Sequence, residues 1–276
     1  IPDAPFLFDP MGFPALGPLY ISAALKRAGY QPQVYDMTGT MKPHLIVPDI
    51  QNCNIIAITA TSPQFPYAVE MMRWLRPHNP DAFFVIGGAH AIVSPQTCKA
   101  AGFDITVAGE GEEAILDIVE NFPPSRESIF YPKPIEPLDS IAHPDREAID
   151  VSRYHFYVTG EKTLHLMGQR GCPYGCAFCC GREVKSYRYV RFFSDDYIIE
   201  EIESLMDRYS IRSFMFFDDE FNINKKRTLR LCERLKEIDI IFRCQVRSNL
   251  FDAEVAQAMA EAGCKEVGCG VETGSM

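Results

Sequence analysis

The sequence predicts an α/β protein with a doubly wound parallel-sheet domain over residues 1–121, a linker over 122–157 and the first part of a parallel β/α barrel over 158–276. Two observations predict this division. Short, almost continuously apolar strands alternate with segments of helical period in both outer regions, as in parallel sheets that are covered on both faces. Between them, six prolines interrupt the pattern. Such a stretch indicates a connection laid across a surface rather than packed as helix or sheet.

The apolar pattern of the first region predicts five strands and four helices. The predicted strands are residues 5–8, 33–35, 54–61, 82–87 and 105–108, and the predicted helices are residues 16–27, 66–75, 94–101 and 112–121. The stretch 39–51 is consistent with either a short helix or a loop. Strand–helix alternation of this kind favours a parallel sheet with helices on both faces.

The last region repeats the alternation after a long loop over residues 168–193. The predicted strands are 163–167, 213–217, 241–246 and 266–271, and the predicted helices are 195–209, 225–238 and 252–262, with Ser194 as the cap of the first. Four such units do not close a parallel barrel, and the chain stops directly after a strand. We therefore expect this sequence to be part of a longer protein.

Composition excludes several classes of protein. Apolar residues make up 47% and charged residues 23% of the 276 residues, which is ordinary globular usage. No apolar run approaches the roughly 18 residues of a membrane helix, and the start does not resemble a signal peptide, so we expect a cytoplasmic protein without a membrane partner. The formal charge of −10 argues against general nucleic-acid binding.

Four of the ten cysteines crowd into nine residues, at Cys172, Cys176, Cys179 and Cys180. The first three form a C-x-x-x-C-x-x-C run on a loop with glycine and proline, where three thiolates can turn toward one metal centre. Three ligands leave one position of a four-metal cluster open for chemistry. Structural zinc is the alternative, with Cys180, His165 or His155 as a fourth ligand, although zinc sites commonly pair two close cysteines with a remote second pair.

This motif after a strand resembles that of the radical S-adenosylmethionine (SAM) enzymes, and the resemblance covers residues from about 164 to 276. It implies a 4Fe–4S cluster held by Cys172, Cys176 and Cys179, with SAM bound to the fourth iron and Phe178 near its adenine. Cys180 lies outside the family pattern.

The predicted strand ends that follow carry polar side chains, and active sites of parallel barrels lie at such ends. These residues are Asp218, Asp219, Glu220, Arg247, Glu272 and Thr273. The resemblance implies that Glu272 contacts the ribose or amino group of SAM, while Arg247 could pair with its carboxylate. The acidic run would face the amino group. Arginines on the cysteine loop could bind an anionic substrate, but solvation is the simpler interpretation.

The strand ends of the first region suggest a second cofactor site, because doubly wound sheets bind ligands there. They carry Thr61, Ser62, Gly87, Gly88, His90, Glu110 and Gly111. No G-x-G-x-x-G motif follows the first strand. With the second region, segments 13–29, 87–90 and 109–113 resemble those of the cobalamin-binding radical SAM enzymes. That resemblance implies cobalamin at these residues. The D-x-H-x-x-G motif that presents a histidine to cobalt is absent, so His90 is only a candidate contact.

The resemblance implies a methyltransferase that acts on an unactivated carbon or on phosphorus, through reductive cleavage of SAM to a 5′-deoxyadenosyl radical and methyl transfer from cobalamin. The alternative within the same family is an oxidative cyclase or ring-rearranging enzyme. A tRNA methylthiotransferase-like enzyme and a non-catalytic iron–sulfur electron carrier are further alternatives, and cobalamin binding separates the first hypothesis from both. The implied partners are a small-molecule or natural-product substrate and an electron donor such as flavodoxin or ferredoxin.

Overall fold

The computed structural model describes residues 11–38, 50–124, 128–270 and 272. It divides into two compact units. The first unit comprises Ile1–Ile135 and Ser140–Arg153, and the second comprises Glu136–Asp139 and Tyr154–Met276.

The first unit contains a four-stranded parallel sheet. Its strands are β1 (Ile55–Thr59), β2 (Phe83–Gly87), β3 (Ile105–Val107) and β4 (Ser128–Phe130), in the order β1-β2-β3-β4. The helices are α1 (Leu16–Arg27), α2 (Phe65–Leu75), α3 (Ala89–Val93), α4 (Pro95–Ala100) and α5 (Gly111–Glu120). The four predicted helices and three of the predicted strands are confirmed within a few residues.

Helices cover both faces of this sheet, as the apolar strands predicted. Successive side chains of a strand point to opposite faces. In β2, Phe84 and Ile86 belong to one apolar cluster with Met72 of α2, whereas Phe83 and Val85 pack in another cluster with Ile118 of α5. Each face therefore has its own apolar core.

Two sequence expectations for the first unit need correction. Residues 33–35 are not a strand in the structure, while the predicted strand 5–8 and most of 39–51 lie outside the described residues. The predicted linker is largely packed structure, because β4 pairs in parallel with β3 and Asp145 accepts a hydrogen bond from Ser22 of α1. A three-residue strand between prolines is too short to give an alternating pattern that the sequence reveals.

The second unit contains a five-stranded sheet. Its strands are β5 (Tyr157–Val158), β6 (Glu161–Leu166), β9 (Ser213–Phe216), β10 (Ile241–Gln245) and β11 (Cys264–Gly268), and they lie in the order β11-β10-β9-β6-β5. β5 pairs antiparallel with β6, and the other pairs are parallel. Four sequential parallel strands are the expected first part of a β/α barrel. A separate antiparallel pair, β7 (Gln169–Arg170) and β8 (Arg191–Phe192), lies within the predicted loop.

The three helices of the second unit begin at side-chain caps. They are α6 (Asp195–Tyr209), α7 (Lys225–Lys236) and α8 (Ala253–Glu261). Ser194 Oγ accepts a hydrogen bond from Tyr197 N at 3.1 Å, which confirms the predicted cap, and Asn224 and Asp252 cap the next two helices in the same way. The helices of the described residues include none that is long and apolar enough to cross a membrane.

Candidate active site

The cysteine loop is closed at its base by backbone pairing. Gln169 pairs with Phe192 and Arg170 with Arg191, and Phe193 N donates to Gly168 O at 3.1 Å. The pairing continues into the motif, where Cys172 N donates to the carbonyl oxygen of Tyr187 at 2.8 Å. Residues 169–192 therefore form one loop whose two ends pair with each other in a separate two-stranded sheet, and the first cysteine lies next to that pairing.

Gly171 is required by this geometry. Its φ of +93° is in a region that side chains disfavour, and a Cβ atom there would collide with the carbonyl oxygens of Tyr187 and Tyr189. The glycine lets the two arms of the loop approach each other just before Cys172. Local backbone packing thus fixes the position of the Cys172 backbone, from which the first thiol extends.

The three motif thiols differ in how far they are exposed to solvent. Cys172 and Cys176 are half-buried and Cys179 is exposed. Cys179 N donates to the carbonyl oxygen of Cys176 at 3.0 Å, so the last two cysteines are joined by a tight turn. Burial raises the pKa of the Cys172 thiol, and the negative charges of Asp219, Glu220 and Cys176 raise it further. The end of β9 therefore faces the cysteine loop, as the sequence predicted.

The donor set fits an iron–sulfur cluster. Soft thiolates are the ligands that such clusters use, and each thiolate binds a different iron atom, so the three sulfurs need not converge on one point. In the described part of the chain, no three His, Cys, Asp or Glu side chains gather in a way that would hold a single metal ion. Of the residues considered for a zinc site, His165 is buried in β6 with its ring edge against Phe217, and Cys180 is exposed.

Arg247, after β10, reaches the cysteine loop. Its guanidinium lies over the ring of Tyr174 at 3.7 Å, and its Nη1 is 3.9 Å from Cys176 Sγ. The backbone of Arg247 is held by the buried amide of Asn222, which accepts from Arg247 N at 2.9 Å and donates to Arg247 O at 3.0 Å. The ends of β9 and β10 thus meet the cysteine loop, and a contact of Arg247 with SAM stays a prediction.

Asp218 is buried and binds the backbone at the start of the cysteine loop. The side chain is 2% exposed, and its Oδ1 accepts from Gly168 N at 2.6 Å and from Gln169 N at 3.1 Å. Burial raises the pKa of Asp218 to about 6, although the positive charge of Arg227 acts in the opposite direction. This carboxylate binds protein backbone, which disfavours the predicted contact with SAM. Phe217, the residue before Asp218, is exposed, so these two side chains lie on opposite sides of the chain.

For the other predicted SAM contacts, the structure gives mainly their exposure. Phe178 is 70% exposed on the cysteine loop. Asp219 and Glu220 follow Asp218, and burial raises the pKa of both carboxyl groups. Glu272 is exposed and has a φ of +63°, while Thr273 lies outside the described residues. The roles of all these residues remain predictions.

The carboxyl ends of β1 and β2 bring together most of the predicted cobalamin residues. Gly88 has a φ of +86°, and a Cβ atom there would collide with the side chain of Thr59 and lie 3.2 Å from Ala60 N. A Cβ atom on Gly87, by contrast, would meet nothing within 4 Å. Gly88 therefore lets its backbone pack against the turn that carries Thr61 and Ser62, and Gly87 borders open space.

His90 is held by protein side chains. Its Nδ1 lies 3.0 Å from Ser62 Oγ and its Nε2 lies 3.0 Å from Thr97 Oγ1. The ring stacks on Phe65 with centroids 4.0 Å apart, and burial lowers the pKa of the imidazole. Both ring nitrogens are engaged, which disfavours His90 as a ligand of cobalt and favours a role in orienting Ser62.

Glu110 and Gly111 serve packing within the first unit. Glu110 Oε2 accepts from Ile135 N at 2.6 Å, and a Cβ atom on Gly111 would lie 2.7 Å from Cδ1 of Ile21 in α1. Glu110 thus fastens the segment after β4, and Gly111 allows α5 to approach α1. These contacts do not support the predicted role of the two residues in binding cobalamin.

Sequence reasoning missed three buried residues that support the cysteine loop, namely Gly168, Asn222 and Arg227. Their contacts join segments 25 to 59 residues apart. For Asn222 and Arg227, a polar residue inside or next to an apolar segment could have indicated a buried contact, because buried polar groups require partners.

The fold and this loop define a class: a β/α barrel segment with three cysteines after its first parallel strand, preceded by an α/β sheet domain. Residues 166–276 match the radical SAM superfamily, and residues 11–119 match the B12 binding domain. The chain belongs to the radical SAM proteins that carry a B12-binding domain.

Known proteins of similar sequence include an uncharacterized methyltransferase of Pyrococcus horikoshii, 31% identical over 80% of this chain and 52% of the relative. The anaerobic magnesium-protoporphyrin IX monomethyl ester cyclase of Rubrivivax gelatinosus is 26% identical over 92% of this chain and 50% of its own. The chain spans about half the length of these relatives.

A solved structure with the same fold is that of TsrM, a radical SAM methyltransferase of Kitasatospora setae, with tryptophan and a SAM analogue bound. It matches with a TM-score of 0.71 and 18% identity, over 98% of this chain and 57% of the TsrM chain.

Proposed function

We propose that this chain is the cofactor-binding part of a cobalamin-dependent radical SAM methyltransferase that acts on an unactivated carbon or on phosphorus. The observation that carries the proposal is the meeting of the cysteine loop with the ends of β9 and β10, in a chain that also has a B12-binding domain. The substrate is a small molecule or natural product, and a flavodoxin or ferredoxin donates the electrons.

In this proposal Cys172, Cys176 and Cys179 hold a 4Fe–4S cluster, and SAM binds beside it. The cluster and SAM together supply an electron and a cleavable carbon–sulfur bond, and cobalamin supplies the methyl group. Because burial raises the pKa of Cys172, binding of iron releases a proton from that thiol. The exposed ring of Phe178 offers an apolar face to the adenine.

The charged side chains around the loop orient SAM. Arg247 is aligned by Asn222 and Tyr174, and its guanidinium presents N–H donors to the carboxylate of SAM. The carboxylates of Asp219 and Glu220 lie close enough to the loop to raise the pKa of Cys172, and they accept hydrogen bonds from the amino group.

Cobalamin binds in the first unit at the carboxyl ends of β1 and β2. Thr61 and Ser62 supply hydroxyl groups, and Gly87, beside which there is open space, lets the corrin side chains approach the backbone. Gly88 packs against the turn that carries the two hydroxyl groups. His90 orients Ser62 and does not ligate cobalt.

The first test uses the full-length protein, purified anaerobically and reconstituted with iron, sulfide and hydroxocobalamin. We expect about four irons per chain and one bound cobalamin. The matched variants are the triple C172A/C176A/C179A, which loses the iron, and C180A, which keeps it. Iron without cobalamin would contradict the methyltransferase, and zinc in place of iron would contradict the family chemistry.

A second candidate function is oxidative cyclisation, because the chain resembles a cyclase over 92% of its length. Methyl-labelled SAM separates the two, since only a methyltransferase moves the label from SAM to cobalamin. Labelled methylcobalamin, identified after extraction, supports methyl transfer. Cobalamin that stays unlabelled after many SAM molecules are consumed supports the cyclase.

A further inference from the structure

Two buried charged side chains hold the start of the cysteine loop. The backbone N–H groups of Gly168 and Gln169 both donate to Asp218 Oδ1, at 2.6 and 3.1 Å. Arg227 Nη2, from the first turn of α7, donates to the carbonyl oxygen of Gly168 at 2.7 Å. Asp218 is 2% exposed and Arg227 is 3% exposed, so both charges are removed from water. The peptide groups that precede the motif are thus fixed from both sides by residues distant in sequence.

Arg227 also contacts the other end of the loop. Its guanidinium lies 4.8 Å from the ring centroid of Phe192 in β8, which is the last residue paired with the first arm. One side chain therefore touches the residue where the loop begins and a residue where it ends. The N–H group of Arg227 is itself bonded to the cap residue Asn224 at 3.1 Å, which fixes its position at the start of α7.

The side chains of Asp218 and Arg227 pack so closely against Gly168 that a larger residue would not fit there. A Cβ atom there would lie 2.9 Å from Arg227 Nη2 and 3.0 Å from Asp218 Oδ2. In the part of the chain that the structure describes, Asp218 Oδ2 and Arg227 Nε and Nη1 have no hydrogen-bond partner. The two side chains are therefore oriented by the loop backbone and by each other's charge.

Burial of two charges is costly, and apolar residues of similar size often stabilise a fold as well or better. The hydrogen bonds of Asp218 and Arg227 go to the backbone of the loop, at Gly168 and Gln169, and an apolar residue could not make them. We propose that Asp218 and Arg227 are positioning residues that fix both ends of the cysteine loop and so set the geometry in which Cys172, Cys176 and Cys179 present their thiolates. The part of this inference that concerns a cluster rests on the proposed function.

Hydrogen exchange of the cofactor-free chain tests the backbone hold directly. The variants are R227M, D218N and the double variant, and the matched control is D196N/R234M, which removes an exposed ion pair between α6 and α7. We expect R227M to speed exchange of the amides in residues 168–172 by about tenfold while the amides of β9 stay protected. The effect of D218N is smaller, since the remaining oxygen still accepts both bonds. The control leaves the loop unchanged.

The reconstituted protein tests the consequence for the thiolates. We expect R227M to bind less than about half the iron of the unaltered chain and to shift the midpoint potential and electron paramagnetic resonance spectrum of what remains. If R227M fails to fold, D218N gives the same comparison with the acceptor oxygen retained. The double variant removes both charges, so neither is left buried without a partner of opposite charge. If the double variant recovers thermal stability but not the spectrum of the unaltered chain, the two residues position the loop and do not merely stabilise the fold.

The failure of this inference differs from failure of the proposed function. Faster exchange that is spread equally over the whole sheet, or an unchanged spectrum and iron content in R227M, would overturn the positioning role while the function stands. An unaltered chain that takes up no iron would overturn the function and with it the cluster part of the inference, and the exchange experiment would still decide the backbone hold.

Discussion

The two candidate cofactor regions differ in how far single residues determine them. In the second unit, three cysteines at fixed spacing lie on one loop. The two arms of this loop approach closely at Gly171, and its start is held by hydrogen bonds to Asp218 and Arg227. In the first unit, the strand ends carry glycines and hydroxyl groups, and two side chains predicted to bind cobalamin, His90 and Glu110, are hydrogen-bonded to other protein groups. Direct ligation of a metal demands particular side chains, whereas a large cofactor that is recognised by shape can be bound by backbone.

This comparison makes the loop around the cysteines the more fragile region. We expect G171A to have the largest effect, because its Cβ atom would collide with two carbonyl oxygens of the other arm of the loop. The expected loss is about 4 kcal/mol in the free energy of unfolding, with loss of bound iron. G175A is the control, since a Cβ atom there would meet only an Arg188 nitrogen at 4.0 Å. Equal iron content in the two variants would show that the close approach of the two loop arms at Gly171 is not needed for iron binding.

The titration of Asp218 gives the next largest effect. Burial raises its pKa in the folded state from 3.8 to about 6, so its ionisation costs stability. That stability is complete below pH 4 and is lost as the pH rises through about 6. Relative to D218N, which does not titrate, the unaltered chain should lose about 3 kcal/mol between pH 3 and pH 7. Urea unfolding at several pH values measures the difference, and a difference independent of pH would contradict it.

Gly88 is the corresponding test in the first unit. With a φ of +86° and a collision with Thr59, G88A should lose about 2 kcal/mol of stability and bind cobalamin more weakly. Gly87 provides the matched control, because its Cβ atom would enter open space. If G87A weakened cobalamin binding without loss of stability while G88A did not, the cofactor would lie against Gly87 alone. Thermal unfolding and cobalamin titration distinguish these results.

Much of the fold could be predicted because the strands are apolar and the helices keep their period, as the match of Leu16–Arg27 and the Ser194 cap illustrate. The strand Ser128–Phe130 could not, since three residues between prolines carry no periodic signal. The same limit applies to the site. The spacing of the cysteines is visible in the sequence, but the inward orientation of Asp218 depends on a contact 50 residues away.

Asn222 tests how Arg247 is held near the cysteine loop. N222A removes both hydrogen bonds to the Arg247 backbone and should cost about 1.5 kcal/mol of stability. Because Arg247 would no longer be aligned over Tyr174, we also expect weaker SAM binding, measured by calorimetry on the reconstituted protein. N121A, at an exposed amide after α5, is the control. Unchanged SAM affinity in N222A would mean that Arg247 does not need this alignment.

The smallest expected effect concerns His90, where the two regions can be compared most directly. If a protein side chain bound cobalt in the way that the cysteines are proposed to bind iron, the first unit would have a ligand equivalent to the cysteines. His90 would be the candidate. Its two ring nitrogens contact Ser62 and Thr97, so we expect H90Q to bind cobalamin within about threefold of the unaltered protein. The Co(II) resonance spectrum should show no coupling to a histidine nitrogen in either protein. A coupling that disappears in H90Q would contradict this, and would show that the first unit also depends on one metal-ligating side chain.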